Sequence, residues 1–442
     1  MPRLRALLTD PDAAVVEAAL HAAAEAGAAA SQVADVLARI AAAGLEPART
    51  GADDVEPLPV PFELAGSEGL AAYPEPPTAA LATLVRLRDR RWRDLAIAAW
   101  EAGCWTRADR LLKDYVPEFD SVALNGIRRW ITTLHAAGAR GPLMDAVAAL
   151  AAWGPDAAPA IPELIAVLPV ADAVASTVLA AIGPAAHQAL PALRRVGGTR
   201  AGHAIWQLTG DPEVLLAATA DLLDRQPLSH VHDELRYAAD TGTAAAPLAA
   251  RLRVAIGREP ANVPEATARL AAARLLWHAT GDAAEVLPVV QAALRGDHLR
   301  AVLARWAALG EIACAAPVRS SYSDPAVARA AELAAELAPA AEGLRPLLRE
   351  ALDDWWACVP VARALWRHGA DPAELVEPLL EVAADRSGGS EAVALLVEIG
   401  ARSAGPRLAE LAERDERGMT SDSWDDERLQ RELREAAVAL SG

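Results

Sequence analysis

A short phrase recurs along the chain from Gly154 onward: a glycine, a polar turn, and then an apolar helix that often contains an early proline. The glycines of successive copies are separated by 27 to 39 residues. One gap is longer, at 88 residues, and Gly310 divides it into intervals of 29 and 59 residues. A period of about thirty residues predicts an array of stacked helical units. The copies begin at Gly154, Gly183, Gly210, Gly242, Gly281, Gly369 and Gly400.

The ends of these predicted helices carry their own signals. Trp206, Trp277 and Trp306 each precede a glycine by four residues, one helical turn, and Trp366 stands in the similar phrase ALWRHG. We expect these rings to close the core stripe just before a glycine C-cap. Asp-Pro pairs predict an N-cap carboxylate with proline at the first helical position. The pairs begin at Asp10, Asp211, Asp324 and Asp371, where Glu374 completes a pattern like a capping box.

The composition suits closely packed helices, because 53% of the 442 residues are hydrophobic but only 4% are aromatic. The segment after Asp324 places one apolar stripe opposite a charged stripe of Arg329, Glu332 and Glu336. Such a thin stripe buries little alone, so each unit must stack on its neighbours. No segment alternates as a strand does, and we expect almost no sheet. The stripe consists of Val327, Ala330, Ala331, Ala334 and Leu337.

The phrases GPAAHQALPALRR from Gly183 and GDPEVLLAATADLL from Gly210 resemble HEAT repeats, in particular the short PBS-lyase-type HEAT-like repeats of bacterial proteins. The resemblance covers most of 141–415 and, more loosely, 1–43 and 78–140. It implies an all-α fold, a right-handed α-solenoid (superhelix) of HEAT-like helix pairs. Known relatives range from protein-binding scaffolds to bilin lyase subunits, a His-Glu di-iron hydroxylase and DNA alkyl-base glycosylases, so it implies little about activity.

These patterns predict four segments. HEAT-like helices in 1–43 precede a proline-rich insertion in 44–77, with seven acidic residues against one base, Arg49. That insertion is either an irregular surface loop or a linker. The repeat array fills 78–424. We expect a capping helix in 425–442, with a polar outer face and an apolar stripe of Leu429, Leu433, Ala436, Ala437 and Leu440.

Charge and cysteine content narrow the class of partner. The formal net charge is −18, which repels polyphosphate and anionic lipid, so neither nucleic acid nor a membrane is an expected partner. The three cysteines, Cys104, Cys314 and Cys358, form no CxxC pair, which is typical of a reduced, cytoplasmic protein. The uncharged stretch from Ala173 to Leu193 is interrupted by glycine and proline and is not expected to cross a bilayer.

Sequence patterns that would indicate catalysis, cofactor binding or metal binding are weak. No histidine is followed by glutamate, as the di-iron relatives require, and the pair His230 and His232 favours a polar helix start over a metal site. No GxxxxGK, GxGxxG or HExxH motif occurs. The block from Arg86 to Arg140 has a net charge of +4 with interleaved tryptophans, but solvated helix faces share this pattern. We therefore assign no catalytic, cofactor-binding or metal-ligating residue.

A binding surface is the better expectation. Adjacent Trp355 and Trp356 point about 100° apart on a helix, so either one is exposed or both lie between neighbouring helices. Because tryptophan and arginine are enriched at binding hot spots, Arg91 and Trp92 join them as candidate partner-binding residues. We predict a non-catalytic scaffold that binds a protein partner through its concave helical surface. The alternative is a HEAT-like enzyme acting on a nucleobase or a tetrapyrrole, which a buried cluster of carboxylates and tryptophans on that surface would favour.

Overall fold

The computed structural model gives an all-α protein. Every regular element among the described residues is a helix and none is a strand, which confirms the all-α part of the predicted fold class. The predicted insertion 44–77 lies outside the described residues. The structure describes residues 2–11, 15–16, 19–20, 22–23, 27–43, 80–81, 83–85, 87–101, 119–296, 325–338, 342–354, 356–385, 389–413 and 423–441.

The chain divides into two compact units, Met1–Val214 and Leu215–Gly442. This division falls inside the segment 78–424, where the sequence indicated no boundary. The α-helices of the first unit are α1 Pro2–Leu7, α2 Ala34–Ala43, α3 Arg91–Glu101, α4 Ser121–Ala137, α5 Arg140–Ala149, α6 Ile161–Ile182, α7 Leu190–Val196 and α8 Gly198–Thr209.

Helix α9, Glu213–Arg225, begins at the end of the first unit and continues into the second. The further helices of the second unit are α10 His232–Ala239, α11 Ala249–Ile256, α12 Val263–Thr280, α13 Ala283–Leu294, α14 Pro325–Leu337, α15 Arg345–Ala351, α16 Cys358–Arg367, α17 Pro372–Asp385, α18 Gly389–Glu398, α19 Gly405–Glu413 and α20 Ser423–Ser441.

Five of the seven copies of the recurring glycine phrase take one of two structural forms. In the first, Gly154, Gly183 and Gly242 have positive φ and are followed by a 3-10 turn, and the α-helix begins seven residues after the glycine. In the second, Gly210 and Gly281 are left-handed C-caps whose N–H groups donate to the carbonyls of Trp206 and Trp277 at 2.7 Å. The predicted tryptophan–glycine helix ends are confirmed at these two positions, whereas Trp306 and Gly310 lie outside the described residues.

Aspartate starts the helix that follows each glycine of the second form. The carboxylates of Asp211 and Asp371 accept a backbone N–H two residues ahead, at 3.0 and 2.9 Å, which confirms these predicted caps. Asp282 does the same at 2.9 Å without a following proline. Glu374 differs from its expected role, because its carboxylate accepts from Arg349 at 3.1 Å. Asp324 and residues 12–14, which follow the Asp-Pro pair at Asp10, lie outside the described residues.

The even-numbered helices α10, α12, α14, α16 and α18 form a row in which each packs on the next. They run parallel, because the contacts join their C-terminal ends. The Nδ1 atom of His278 lies 3.1 Å from the carbonyl of Ala239, and the Nε2 atom of His368 lies 2.9 Å from that of Ala334. These carbonyls lie in the last helical turns, where intrahelical N–H donors run out. Odd-numbered helices pack beside the row, α13 against α12 and α14, and α17 against α16 and α18.

Small and branched aliphatic side chains fill the core of the second unit. The whole predicted stripe of α14 is buried, together with Ala326 and Leu333. The predicted stripe of the C-terminal helix is also buried in α20, which packs on α18 and α19. A Cβ atom added to Gly389 would lie 2.9 Å from Leu429, so the absence of a side chain lets α18 approach α20. The alanine-rich composition thus produces the close helix packing that was expected.

One continuous helical run, Arg140–Val196, contains an 18-residue window with a mean hydropathy of 2.1, apolar enough for a membrane span, and 44% of that window is buried. The backbone leaves helical geometry at Gly154 and Ala171, and α6 ends at Gly183. A membrane-spanning helix needs about 20 uninterrupted residues, and no part of this run is that long between its breaks. Only the apolar composition of this run suits a membrane span.

Candidate functional site

An open groove runs along α16 in the second unit, with a volume of about 1170 Å³. Helix α16 forms its floor, and α14 and α18 form its walls. We call it the α16 groove. It is lined by Pro325, Ala328, Arg329, Glu332, Ala335, Glu336, Ala338, Trp356, Val359, Pro360, Arg363, Arg367, Glu391 and Ala394.

Trp356 is the large aromatic side chain of this lining, and it is 55% exposed. It lies in the turn before α16, where its backbone N–H donates to the Asp354 carboxylate at 3.2 Å. Of the two alternatives for the adjacent tryptophans, exposure is the one found at Trp356, in a turn and not on a helix. Trp355 lies outside the described residues.

The charges of α14 are balanced by nearby partners. Arg329 and Glu332 pair along the helix at 2.7 Å, both exposed as predicted. The third member of the predicted charged stripe, Glu336, is instead half-buried. Its carboxylate accepts from Arg274 at 2.6 Å and from His278 at 3.0 Å, both on α12. The sequence pattern placed Glu336 on the charged face of α14 but did not indicate its burial, because periodicity identifies a helix face and not the neighbour that covers it.

The environment of Glu336 sets its ionisation. Burial alone would raise the pKa of the Glu336 carboxyl group. The hydrogen bonds from His278 and Arg274 outweigh that effect and lower its pKa below the usual value. Glu336 is therefore an ionised link between α12 and α14.

The charges of α16 are not balanced within the groove. Arg363 and Arg367 stand one turn apart and share one carboxylate, Glu398 of α18, at 3.5 and 3.8 Å. The Arg367 guanidinium also lies 5.3 Å from the centre of the Trp366 ring. The lining as a whole holds three arginines and three glutamates, but at this end of the groove two guanidinium groups face one carboxylate, which leaves a local surplus of positive charge. Sequence reasoning missed this pair, although its i, i+4 spacing after two tryptophans was a usable signal.

A smaller cavity of about 70 Å³ continues along the same row, between α10, α12 and α14, and it shares Arg329 and Glu332 with the α16 groove. His232 is part of its lining, whereas His230 ends the preceding 3-10 turn. Among the residues that the structure describes, no three His, Cys, Asp or Glu side chains are grouped to hold a metal ion.

The other candidates from the sequence lie elsewhere. Trp92, on α3 of the first unit, is only 8% exposed, so its ring belongs to the core. The neighbouring Arg91 is exposed and donates to both carboxylate oxygens of Asp89, at 2.8 and 2.6 Å. The thiol of Cys358 is buried, and burial raises its pKa to about 12, which makes it a poor nucleophile. Cys104 and Cys314 lie outside the described residues.

Comparison of the chain with protein-family models, curated proteins and solved structures finds no significant match. The resemblance to HEAT-like repeats therefore rests on the phrases quoted above.

Proposed function

We propose that the chain is a HEAT-like, right-handed α-solenoid that binds a protein partner without performing covalent chemistry. The solenoid is supported by the parallel row of even-numbered helices and by the odd-numbered helices that pack beside it. The recurrence of the same glycine and aspartate junctions at helix ends supports it further. Stacked helix pairs of this kind form long curved surfaces that suit binding to another macromolecule.

The α16 groove is the observation that carries the proposal. It is open, it holds an exposed tryptophan, and α14, α16 and α18 together contribute three arginines and three glutamates to its lining. Exposed tryptophan and arginine beside small apolar side chains are typical of protein-binding hot spots.

The charge distribution favours a protein over other partners. The net charge of −18 opposes nucleic acid and anionic lipid, and glutamates accompany the arginines of the groove. The ionised Glu336 is held by two partners from α12, which suits a structural role better than proton transfer. We place the protein in the cytoplasm on the basis of its cysteine usage.

Affinity capture from the native cytosol with quantitative mass spectrometry tests the proposal, using the full chain and a parallel nuclease-treated sample. A nuclease-resistant protein partner is expected with the wild type. Trp356→Ala should lower its recovery, because removing a hot-spot tryptophan costs about 2 kcal/mol or more. Val438→Ala is the matched control, since Val438 on α20 is 77% exposed and lies outside the groove lining. Recovery of nucleic acid or a chromophore in place of protein would overturn the proposal.

A further inference from the structure

The shape of the α16 groove indicates what kind of protein segment fits it. The lining from α14 extends from Pro325 to Ala338, which corresponds to roughly 20 Å of helix axis. The walls carry Ala328 and Ala335 on one side and Ala394 on the other. Such small side chains let a further helix backbone approach closely. The groove is thus long and open enough for about three turns of helix.

We propose that the α16 groove receives an amphipathic α-helix of the partner protein, with an apolar side chain on Trp356 and an acidic side chain against Arg363 and Arg367. This inference rests on the proposed function and specifies the chemistry of its partner. It corresponds to the helix-in-groove mode of recognition, in which apolar anchors at helical spacing give affinity.

The apolar end of the groove lies where α16 begins. Trp356 lines the groove together with Val359 and Pro360 of the floor and Ala328 of the wall. An exposed indole ring next to aliphatic groups gains most by covering another apolar side chain, because both surfaces then leave water.

The basic end lies about one and a half to two and a half turns after the start of α16. Glu398 lies beyond direct hydrogen-bond distance of Arg367, at 3.8 Å, and at the limit for Arg363, at 3.5 Å. Both guanidinium groups are about half-exposed and keep donors for a second carboxylate. Arginine binds carboxylates in a two-bond geometry that also fixes orientation. An acidic residue of the partner therefore complements the surplus positive charge.

The two ends set a spacing for the partner. Trp356 precedes Arg363 by seven residues and Arg367 by eleven, roughly 10–16 Å along the axis of α16. A helix lying along the groove needs its apolar and acidic residues on one face at a similar separation. We expect them seven to eleven residues apart, which is two to three turns.

A displayed library of 18-residue helical peptides, with one randomised face on an alanine-based frame, tests this inference against the full chain. Selected peptides should combine an apolar residue with an acidic residue seven to eleven positions away. One such peptide, labelled with fluorescein, should lose at least about tenfold in affinity with Trp356→Ala, measured by fluorescence anisotropy. Arg363→Glu/Arg367→Glu should reverse the preference, so that the same peptide with lysine in place of its acid binds better.

Arg407→Glu on α19 is the matched control, because it reverses an exposed charge that pairs with Glu410 outside the groove lining. Arg363→Gln/Arg367→Gln serves as a second test if the charge reversal impairs folding, judged by circular dichroism. Peptides without an acidic preference, proline-rich extended peptides, or no peptide that depends on the groove would each overturn the inference. A captured protein that still depends on Trp356 would leave the proposed function standing in those cases.

Discussion

Replacing Glu336 by glutamine tests the link between α12 and α14. The wild-type carboxylate accepts from the Nη2 and Nε atoms of Arg274, at 2.6 and 3.1 Å, and from Nε2 of His278 at 3.0 Å. Glutamine has nearly the same shape but keeps only one acceptor oxygen and adds an NH₂ group. That NH₂ group faces N–H donors of Arg274 or His278, so hydrogen bonds are lost whichever way the amide turns.

The size of the effect follows from the burial of this side chain. Hydrogen bonds to charged groups contribute about 1.5–3 kcal/mol to stability. The Glu336 side chain is 28% exposed, so water screens part of the interaction, and one acceptor remains. We expect Glu336→Gln to lower the free energy of unfolding by about 1–2 kcal/mol at pH 7. For a unit of 150–250 residues, each 1 kcal/mol corresponds to about 2–4 °C in melting temperature.

The loss of stability caused by Glu336→Gln should depend on pH in a defined direction. The pKa of Glu336 is lowered in the folded state, so its ionised form stabilises the fold above the unfolded pKa of about 4.3. This stabilisation disappears as pH falls through the lower, folded-state pKa. The stability difference between wild type and Glu336→Gln should therefore be full near pH 7 and shrink below about pH 4.

Urea unfolding at a series of pH values, combined with hydrogen exchange of the α12 and α14 amides, measures this difference. Glu332→Gln is the control, because Glu332 lies one turn away on α14 and forms an exposed ion pair with Arg329. That variant should lose less than about 0.5 kcal/mol. Equal losses in the two variants, or a difference for Glu336→Gln that is unchanged at low pH, would refute the reasoning.

Three further predictions concern helix packing, helix capping and the thiol. Gly389→Ala should destabilise the protein by about 1–3 kcal/mol in thermal unfolding, because its Cβ would approach Leu429 to 2.9 Å; a neutral result would mean that the leucine side chain moves aside easily. Asp282→Ala should cost about 1 kcal/mol, since it removes the cap on the Ala284 N–H, whereas Asp282→Asn should retain most of that stability. Cys358 should resist iodoacetamide at pH 8 until the chain unfolds, as peptide mapping by mass spectrometry can show, and rapid labelling of the native protein would contradict its burial.

The features that the sequence predicts well are local ones. The C-caps at Gly210 and Gly281, the aspartate caps, and the buried stripes of α14 and α20 depend on neighbours within one or two turns. The same rules missed the two forms of the glycine phrase. A 3-10 turn after Gly183 and an aspartate cap after Gly210 look alike as a glycine followed by a polar turn, but they start their helices seven and three residues later.

The site was less predictable, because its contacts join residues far apart in the chain. Arg274 and Glu336 are 62 residues apart, and they meet only because α12 and α14 are neighbours in the row. Trp356 is exposed, as one of the two alternatives for the adjacent pair allowed, but it lies in a turn and not on the helix that the sequence argument assumed. The burial of Trp92 could not be predicted from the sequence, because a tryptophan among arginines suits a core and a surface equally well.

The polar contacts of the row also explain how alanine-rich helices keep one register. A stripe of alanines is nearly smooth, so apolar packing alone discriminates poorly between neighbouring registers. The Arg274–Glu336 ion pair and the hydrogen bond from His368 to the Ala334 carbonyl are directional, and each joins specific turns of neighbouring helices. We infer that they fix the positions of α12, α14 and α16 along one another. Because α14 and α16 form a wall and the floor of the groove, the contact between His368 and Ala334 also fixes the offset between that wall and that floor.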